Sequence, residues 1–554
     1  MKSHESSAAF RRVVIVGGVA GGMSAATRLR RLDSSAEIVV LERSGYVSYA
    51  NCGLPYYVGG VIAQERELLL QTPESLHARF RLDVRTHSEV LDIDRSGKTV
   101  HVKSLVDGVA YDLPYDQLIL SPGAVPVVPP LPGIDRAFTL RTVEDVQRIV
   151  TAVNARPERA VVIGGGFIGV EAAENLRHLG IDVTLVEAAP QLLAPLDVEM
   201  ANPVADEMRR QGVTLHLGVA LKAVHDDAVE LTDGTLLPSD FTLLAIGVRP
   251  DTSLAQGCGL EVGTRGGIAV DATSRTSDPD IFAIGDAAEK RDALDGSATL
   301  VPLANVANRQ GRRVADTIMG RTVREVDTQG TAIVKVFDLT VATTGWNEKR
   351  LVAAGRQFVA LHAFPGSHAG YYPGAETMSL KLLLDATDGT ILGAQGVGRE
   401  GVDKRIDVLA TAMRAGTTGP ELADLELAYA PPFGSAKDAI NVLGYMAENV
   451  LTGFTPTVQW YDVDRLVEHN AYLLDVRTTH EFGLGRIPGS VNVPVDELRE
   501  RIKELPTDRR IVVTCAAGLR GHTATALLRD SGYDAVNLDG GYNNWSAATS
   551  AATS

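Results

Sequence analysis

The chain has 554 residues, 45% of them apolar and 22% charged, and at about 150 residues per domain this length implies three to four domains and excludes a single small module. A formal net charge of −16 repels phosphate backbones and excludes nucleic acid as an expected partner. The cysteines are Cys52, Cys258 and Cys515 alone, too few for a disulfide scaffold or a cysteine-rich zinc module, and no metal site is expected.

The N-terminal stretch MKSHESSAAFRR lacks the apolar core of a signal peptide. No later stretch keeps about 18 uncharged apolar residues together, so a soluble, cytoplasmic protein with no membrane partner is expected.

Residues 13–28, VVIVGGVAGGMSAATR, pass from β-branched strand residues through a Gly-rich turn into a helix of small residues. The turn runs through Gly17, Val19, Ala20 and Gly21, with Val19 where GxGxxG has its second glycine, and the next apolar run, EIVVLER, ends in Glu42 and Arg43. In such a unit the helix N-terminus faces a pyrophosphate and the acidic residue bonds a ribose hydroxyl.

The arrangement returns in AVVIGGGFIGVEAAENL and VTLVEAAP, where Gly164, Gly166 and Gly169 fit the pattern in full and Glu187 closes the strand. Two copies, each with its strand, turn, helix and acid, predict an α/β fold with two Rossmann-like nucleotide-binding domains. No Arg follows Glu187, whose carboxylate repels a 2′-phosphate, so NADH is expected over NADPH.

A third segment, TSDPDIFAIGDAAE, places Asp286 just after a strand and Gly285. With LILSPGA at 118–124 and LLAIGVRPD at 243–251, these residues resemble the FAD- and NAD-linked pyridine nucleotide-disulfide oxidoreductase superfamily. The resemblance implies FAD, with Asp286 on its ribityl chain. It implies further FAD contacts at Asn51, Val90, Ser121 and Gly123, and at Leu303 and Ala304, with Gly247 on the NAD side. It also implies a split FAD domain, 1–120 and 248–326, around an NAD domain at 121–247.

The segment SYANCGLPYYVGG puts Cys52 where this superfamily keeps its redox cysteine. Asn51-Cys52-Gly53 reads as a helix start, whose dipole stabilises a thiolate. Tyr57 stands where many members carry a second cysteine, so Cys52 is expected to pair with an external sulfur or an oxygen atom.

This window resembles coenzyme A-disulfide reductases, which form a mixed disulfide between one cysteine and CoA. That resemblance implies a homodimer in which Tyr429 of AYAPPFGSAKDAI and Tyr371 of GYYPGA, or its neighbour Tyr372, act across subunits. A phenol of pKa about 10 is protonated at neutral pH and serves a departing thiolate as a proton donor. CoA contacts are expected from Arg28 and Arg31, which share one helix face, and from Lys437. Ser24, Ser48, Asn51 and Asn308 complete the implied CoA set, while Cys258, in AQGCGLEV, reads as structural.

From 327 to 452 the pattern is that of antiparallel strands with flanking helices, matching the superfamily's dimerisation domain, and 453–459 reads as a linker. Residues 460–554 resemble a rhodanese (sulfurtransferase) domain, with Cys515 opening the loop CAAGLR before a helix. Such a loop aims backbone N–H groups at a thiolate or persulfide, and Arg520 is expected to add positive charge. Asp475 and Arg477 are expected to brace the fold.

The function expected is that of an NADH-dependent persulfide reductase. It would use FAD to reduce CoA persulfide, polysulfide or CoA disulfide at one cysteine, coupled to a rhodanese that carries sulfane sulfur. The alternatives are an NADH oxidase or peroxidase working through a cysteine sulfenic acid, and a sulfur carrier or sensor whose flavin module is vestigial.

Overall fold

The computed structural model describes residues 12–550, so residues 1–11 and 551–554, which include most of the N-terminal stretch read above, lie outside the described residues. Two compact units emerge: one runs to Ala188 and resumes over Val219–Gln329, and the other combines Ala189–Gly218 with the chain from Gly330 onward.

In the first unit, β1 (Arg12–Val16) leads through the first glycine turn into α1 (Ala20–Leu32) and then β2 (Glu37–Leu41). These strands are almost wholly buried, which a parallel sheet covered on both faces demands of its β-branched residues. The sheet order is Ile281–Ala283, Gln117–Leu120, β1, β2, Asp83–Arg85, so a strand from beyond residue 280 joins the N-terminal ones.

A second parallel arrangement is inserted between them. β3 (Arg159–Ile163) enters α2 (Phe167–His178) and pairs with β4 (Asp182–Glu187) on one side and Phe241–Leu244 on the other. The chain passes between the two arrangements through a two-stranded ribbon of Ala124–Pro126 and Val248–Pro250.

In the second unit, α3 (Val198–Arg210) belongs to the segment the sequence assigns to the NAD domain. An antiparallel five-stranded sheet has β5 (Phe358–Ala363) at one edge and β6 (Met378–Asp385) beside it, covered by helices Val402–Ala415 and Ala439–Leu451.

The C-terminal part is a parallel five-stranded sheet in the order Thr457–Val458, β8 (Ala535–Leu538), β7 (Ile511–Thr514), Tyr472–Asp475, Val491–Asn492. Thr457 and Val458 lie in the stretch read as a linker and form an edge strand instead, anchored where Asn537 N donates to Pro456 O at 2.9 Å. Among the described residues no helix is long and apolar enough to cross a membrane.

The first turn shows why the helix can start so close to the strand. A Cβ on Gly22 would lie 1.9 Å from Gly17 O, and one on Gly169 would lie 1.9 Å from Gly164 O. Gly22→Ala should cost about 1–3 kcal/mol through overpacking, seen as a lower thermal midpoint. Gly257→Ala, where the added carbon meets nothing within 4 Å, should change little.

Candidate functional site

Both glycine turns are built for a close approach. Gly17 has φ +99° with a would-be Cβ 2.1 Å from Ser121 O, and Gly164 has φ +111° with one 2.4 Å from Ala245 O. Gly166, at the mouth of the second turn, faces open space, as a backbone that meets a pyrophosphate must. The third glycine of the first turn is Gly22 rather than Gly21: its spacing from Gly17 repeats that of Gly169 from Gly164. Gly21 packs instead against Ser121 Oγ and Ile284, and Val19 holds the position before α1.

The acids at the strand ends fold back onto these turns. Glu42 accepts from Gly18 N at 2.8 Å and Ser44 N at 2.9 Å, and burial raises its carboxyl. Glu187 accepts from Gly165 N at 2.6 Å. Arg43 is exposed, reaching Glu89 only at 3.8 Å.

Asp286 receives no hydrogen bond from any described residue, and burial raises its carboxyl against the pull of Lys290 and Arg141. A largely enclosed carboxylate without a protein donor fits a ligand hydroxyl. Lys290 is pushed down to about 8 by burial and donates to Gly285 O at 2.5 Å and Ala288 O at 2.9 Å. Gln310 accepts from Gly285 N at 2.9 Å, so Lys290 and Gln310, which no motif marked, shape the loop that carries Asp286.

The remaining expected positions are more scattered. Ser121 lies beside the first turn and Gly123 (φ +79°) faces Arg141, while Leu303 caps and Ala304 begins the helix Ala304–Ile318. Gly247 has φ +107° and accepts from Val127 N at the ribbon. Val90 is buried in the core opposite Val102.

Cys52 lies in a 3₁₀ turn, Asn51–Gly53, that precedes a helix of only five residues, Leu54–Val58. The expected thiolate stabilisation is not what the protein groups produce: partial burial pushes the Cys52 thiol up, and the charges of Glu171 and Asp286 add to it. Burial and two carboxylates outweigh so short a helix.

Glu171, on α2, is itself raised to about 7 by burial while accepting from Tyr56 Oη at 3.0 Å. A titratable pair thus joins the second nucleotide turn to the cysteine segment. No motif singled it out, although Glu171 lies just past Gly169 on the same helix. The three cysteines are free, and Cys258 is half-buried with Sγ donating to Ala255 O at 3.4 Å.

The expected CoA residues divide. Ser24 Oγ donates to Asn308 Oδ1 at 2.6 Å, bringing two of them together, and Ser48 adopts φ +47° with its N–H on Gly18 O. Arg28 does not present a free cation, because it is bound to Asp316 at 2.7 Å. Arg31, Asn51 and Lys437 are exposed, and neither cation forms an ion pair among the described residues.

In the second unit, Tyr371 Oη and Tyr429 Oη lie 2.8 Å apart, 75% and 48% exposed. That hydrogen bond raises the Tyr371 phenol. Tyr372 packs edge-on against His368, which separates the two neighbouring tyrosines.

Cys515 is 1% exposed and directly follows β7. Gly518 N donates to its Sγ at 3.0 Å, the one such bond formed by a loop expected to offer several. Tyr542 N and Asn543 N hold Cys515 O and Ala516 O at 2.7 and 2.9 Å from the far side.

Arg520 does not add free charge as expected: both its terminal nitrogens bind Glu481, at 2.7 and 2.6 Å, holding that carboxyl down at about 2. Arg477 binds Asp475 and Gly485 O and lies over the Tyr542 ring at 4.2 Å.

Comparison with known proteins matches residues 11–311 to the pyridine nucleotide-disulphide oxidoreductase model, 331–439 to its dimerisation domain and 460–548 to a rhodanese-like domain. The Coenzyme A disulfide reductase of Staphylococcus epidermidis is 34% identical over 441 residues, covering 79% of this chain and all of the relative. Among solved structures, reduced Bacillus anthracis CoADR-RHD is 49% identical with TM-score 0.97, covering 98% of this chain and 99% of that one. A NAD-dependent persulfide reductase from A. fulgidus is 37% identical with TM-score 0.91, covering 96% and 100%.

The placement of Glu171 sets a pH-dependent test. Glu171→Gln removes a charge that raises the Cys52 thiol, so Cys52 should react faster with iodoacetamide. Glu171 ionises near 7, so variant and wild type should agree in acid and diverge as pH rises through that value.

Proposed function

Because the chain belongs to the pyridine nucleotide-disulphide oxidoreductase family and carries a rhodanese-like domain, we propose that it is an NADH-dependent reductase of CoA persulfide, with polysulfide and CoA disulfide as related substrates. One observation carries the reading: an exposed free thiol, Cys52, shares a unit with two dinucleotide turns, and a second thiol, Cys515, opens a rhodanese loop in the same chain.

The residues that would hold FAD are the turn at Gly17–Gly22, Glu42 and Asp286; Gly164–Gly169 and Glu187 would hold NADH. Bound FAD, reduced by NADH, supplies the electron pair that returns Cys52 to its reduced state.

Cys52 as thiolate attacks the inner sulfur of CoA persulfide. The sulfur-sulfur bond breaks, hydrosulfide leaves with the bonding pair, and a Cys52–CoA mixed disulfide forms. Its two-electron reduction releases CoA thiolate and regenerates Cys52. Partial burial, with the charges of Glu171 and Asp286, favours the protonated thiol, so resting Cys52 is protected from adventitious oxidation.

In a homodimer, which the dimerisation domain supports, the hydrogen-bonded Tyr371–Tyr429 pair would protonate the departing thiolate. One phenol donates while the other holds its orientation. Arg31 and Lys437, with Ser24, Ser48 and Asn51, would hold CoA. Cys515 would take sulfane sulfur from a donor and deliver it to CoA. An oxidase has no use for that second thiol, which weighs for sulfur chemistry over oxygen chemistry.

Anaerobic stopped-flow with preformed CoA persulfide tests this. Cys52→Ser should lose at least ~10³-fold in turnover, as expected for removal of a nucleophile, while Cys515→Ser should stay close to wild type. Oxidation of NADH by oxygen or peroxide far faster than by CoA persulfide or CoA disulfide would sink the reading.

A further inference from the structure

The second unit buries charge away from water. Lys381 has no exposed surface, and its ammonium binds Asp197 at 2.9 Å, Glu348 at 2.8 Å and Glu199. These carboxylates bring oxygens within 4.8 Å of one another, a spacing that suits a cation, and the lysine is that cation. Gln395 Nε2 also donates to Asp197, at 2.6 Å.

Glu199 continues the chain of contacts. It lies 3.1 Å from His362 Nε2, while His362 Nδ1 lies 2.5 Å from Asp539 Oδ2 and His362 N donates to Asp539 Oδ1 at 3.2 Å. His362 and Asp539 are each 1% exposed. A continuous row, Lys381–Glu199–His362–Asp539, therefore runs from the antiparallel sheet to the end of β8.

The segment that follows Asp539 is the back wall of the Cys515 loop. A Cβ on Gly540 would lie 3.0 Å from His362 Cβ, and one on Gly541 would lie 2.4 Å from Cys515 O. Tyr542 N and Asn543 N then hold the carbonyls of Cys515 and Ala516. One short run, DGGYN, is tied to His362 at its start and to the sulfur loop at its end.

Both ring nitrogens of His362 face carboxylates, so both donate and the ring is an imidazolium. Burial pulls its pKa down, but the charges and hydrogen bonds of Asp539 and Glu199 overcome this and raise it to about 9. Lys381 opposes that rise. Asp197, Glu348, Lys349 and Tyr461 are the other titratable groups around the same network.

We propose that His362 is a positioning residue for sulfur transfer: by clamping Asp539 it holds DGGYN, and through it the Cys515 loop, in the form that accepts a sulfane sulfur. This rests on the reading of Cys515 as a sulfur carrier. In the step it serves, the Cys515 thiolate attacks the outer sulfur of a persulfide, the sulfur-sulfur bond breaks, and the donor leaves as a thiolate with the bonding pair. Cys515 is left as a persulfide, with no external oxidant or reductant. Because the pKa is raised, the clamp is complete below the ordinary histidine value of about 6.5 and is lost as pH rises through about 9.

The test uses the full chain with CoA persulfide as donor, following Cys515 persulfide by alkylation and mass spectrometry, with NADH bleaching of the flavin as the measure of folding. His362→Gln and Asp539→Asn should slow formation by about ten- to a hundredfold, the scale of a small misplacement at a reacting centre. His362→Asn, which keeps an N–H for Asp539, should recover to within about threefold. The wild-type rate should also fall across the titration of His362, a limb missing from the His362→Gln profile. Equal rates in all four proteins overturn the clamp while leaving the carrier reading intact. A wild-type Cys515 that takes no sulfur overturns the carrier reading and the clamp with it.

Discussion

A carbonyl oxygen standing where a side chain would be is the constraint on which the nucleotide-binding half depends. Gly17 O and Gly164 O sit 1.9 Å from the places where Gly22 and Gly169 would carry a Cβ. Only this contact lets a helix start immediately beyond a strand and aim its unpaired N–H groups at one point. The acids then follow from the geometry: Glu42 and Glu187 reach the backbone N–H of Gly18 and Gly165 because the turns bring those groups over the strand ends. The cysteine segment is tied to the second turn by the Tyr56–Glu171 bond, so the thiol, too, is placed relative to a glycine contact.

The other unit is organised by an opposite demand. An ammonium without exposed surface must be met by carboxylates, since an unpaired buried charge costs far more than a paired one. Lys381 meets this demand with three residues from two stretches, Asp197 and Glu199 at the start of α3, and Glu348. Replacing the whole network by apolar side chains need not weaken the fold. What apolar packing would not reproduce is direction: hydrogen bonds at both nitrogens of His362 fix the position of Asp539, where a greasy contact would let it slide.

Much of this was legible in the sequence where chemistry is local. A strand, a turn and a helix lie within about thirty residues of one another in a dinucleotide fold, so GGGFIGVEAAENL announces itself, as does CAAGLR. The partners of charged groups lie far away in the chain, and there the reading failed. Arg28 seemed free until Asp316 appeared beside it, and Arg520 until Glu481 did. The helix that follows Cys52 is local, whereas burial, and then the charges of Glu171 and Asp286, decide its ionisation. Val19 in place of a glycine masks the pattern at Gly22, whose role is set by a carbonyl and not by a motif letter. The buried row from Lys381 to Asp539 left no local trace, because each member sits in an ordinary strand or helix context.

These pairings also recast the acidic balance of the chain. Arg28, Arg405, Arg477 and Arg520 are each bound to a carboxylate, so their charges are spent inside the protein. Arg31 and Lys437 are exposed and form no ion pair among the described residues. At physiological salt, interactions between exposed charges fade beyond about 8 Å, while a phosphate in contact with a cation sits at about 3 Å. A net charge of −16 therefore discourages long polyanions, which must lie along the surface. It does not prevent a small phosphate-bearing ligand from binding where a cation is in direct contact with it.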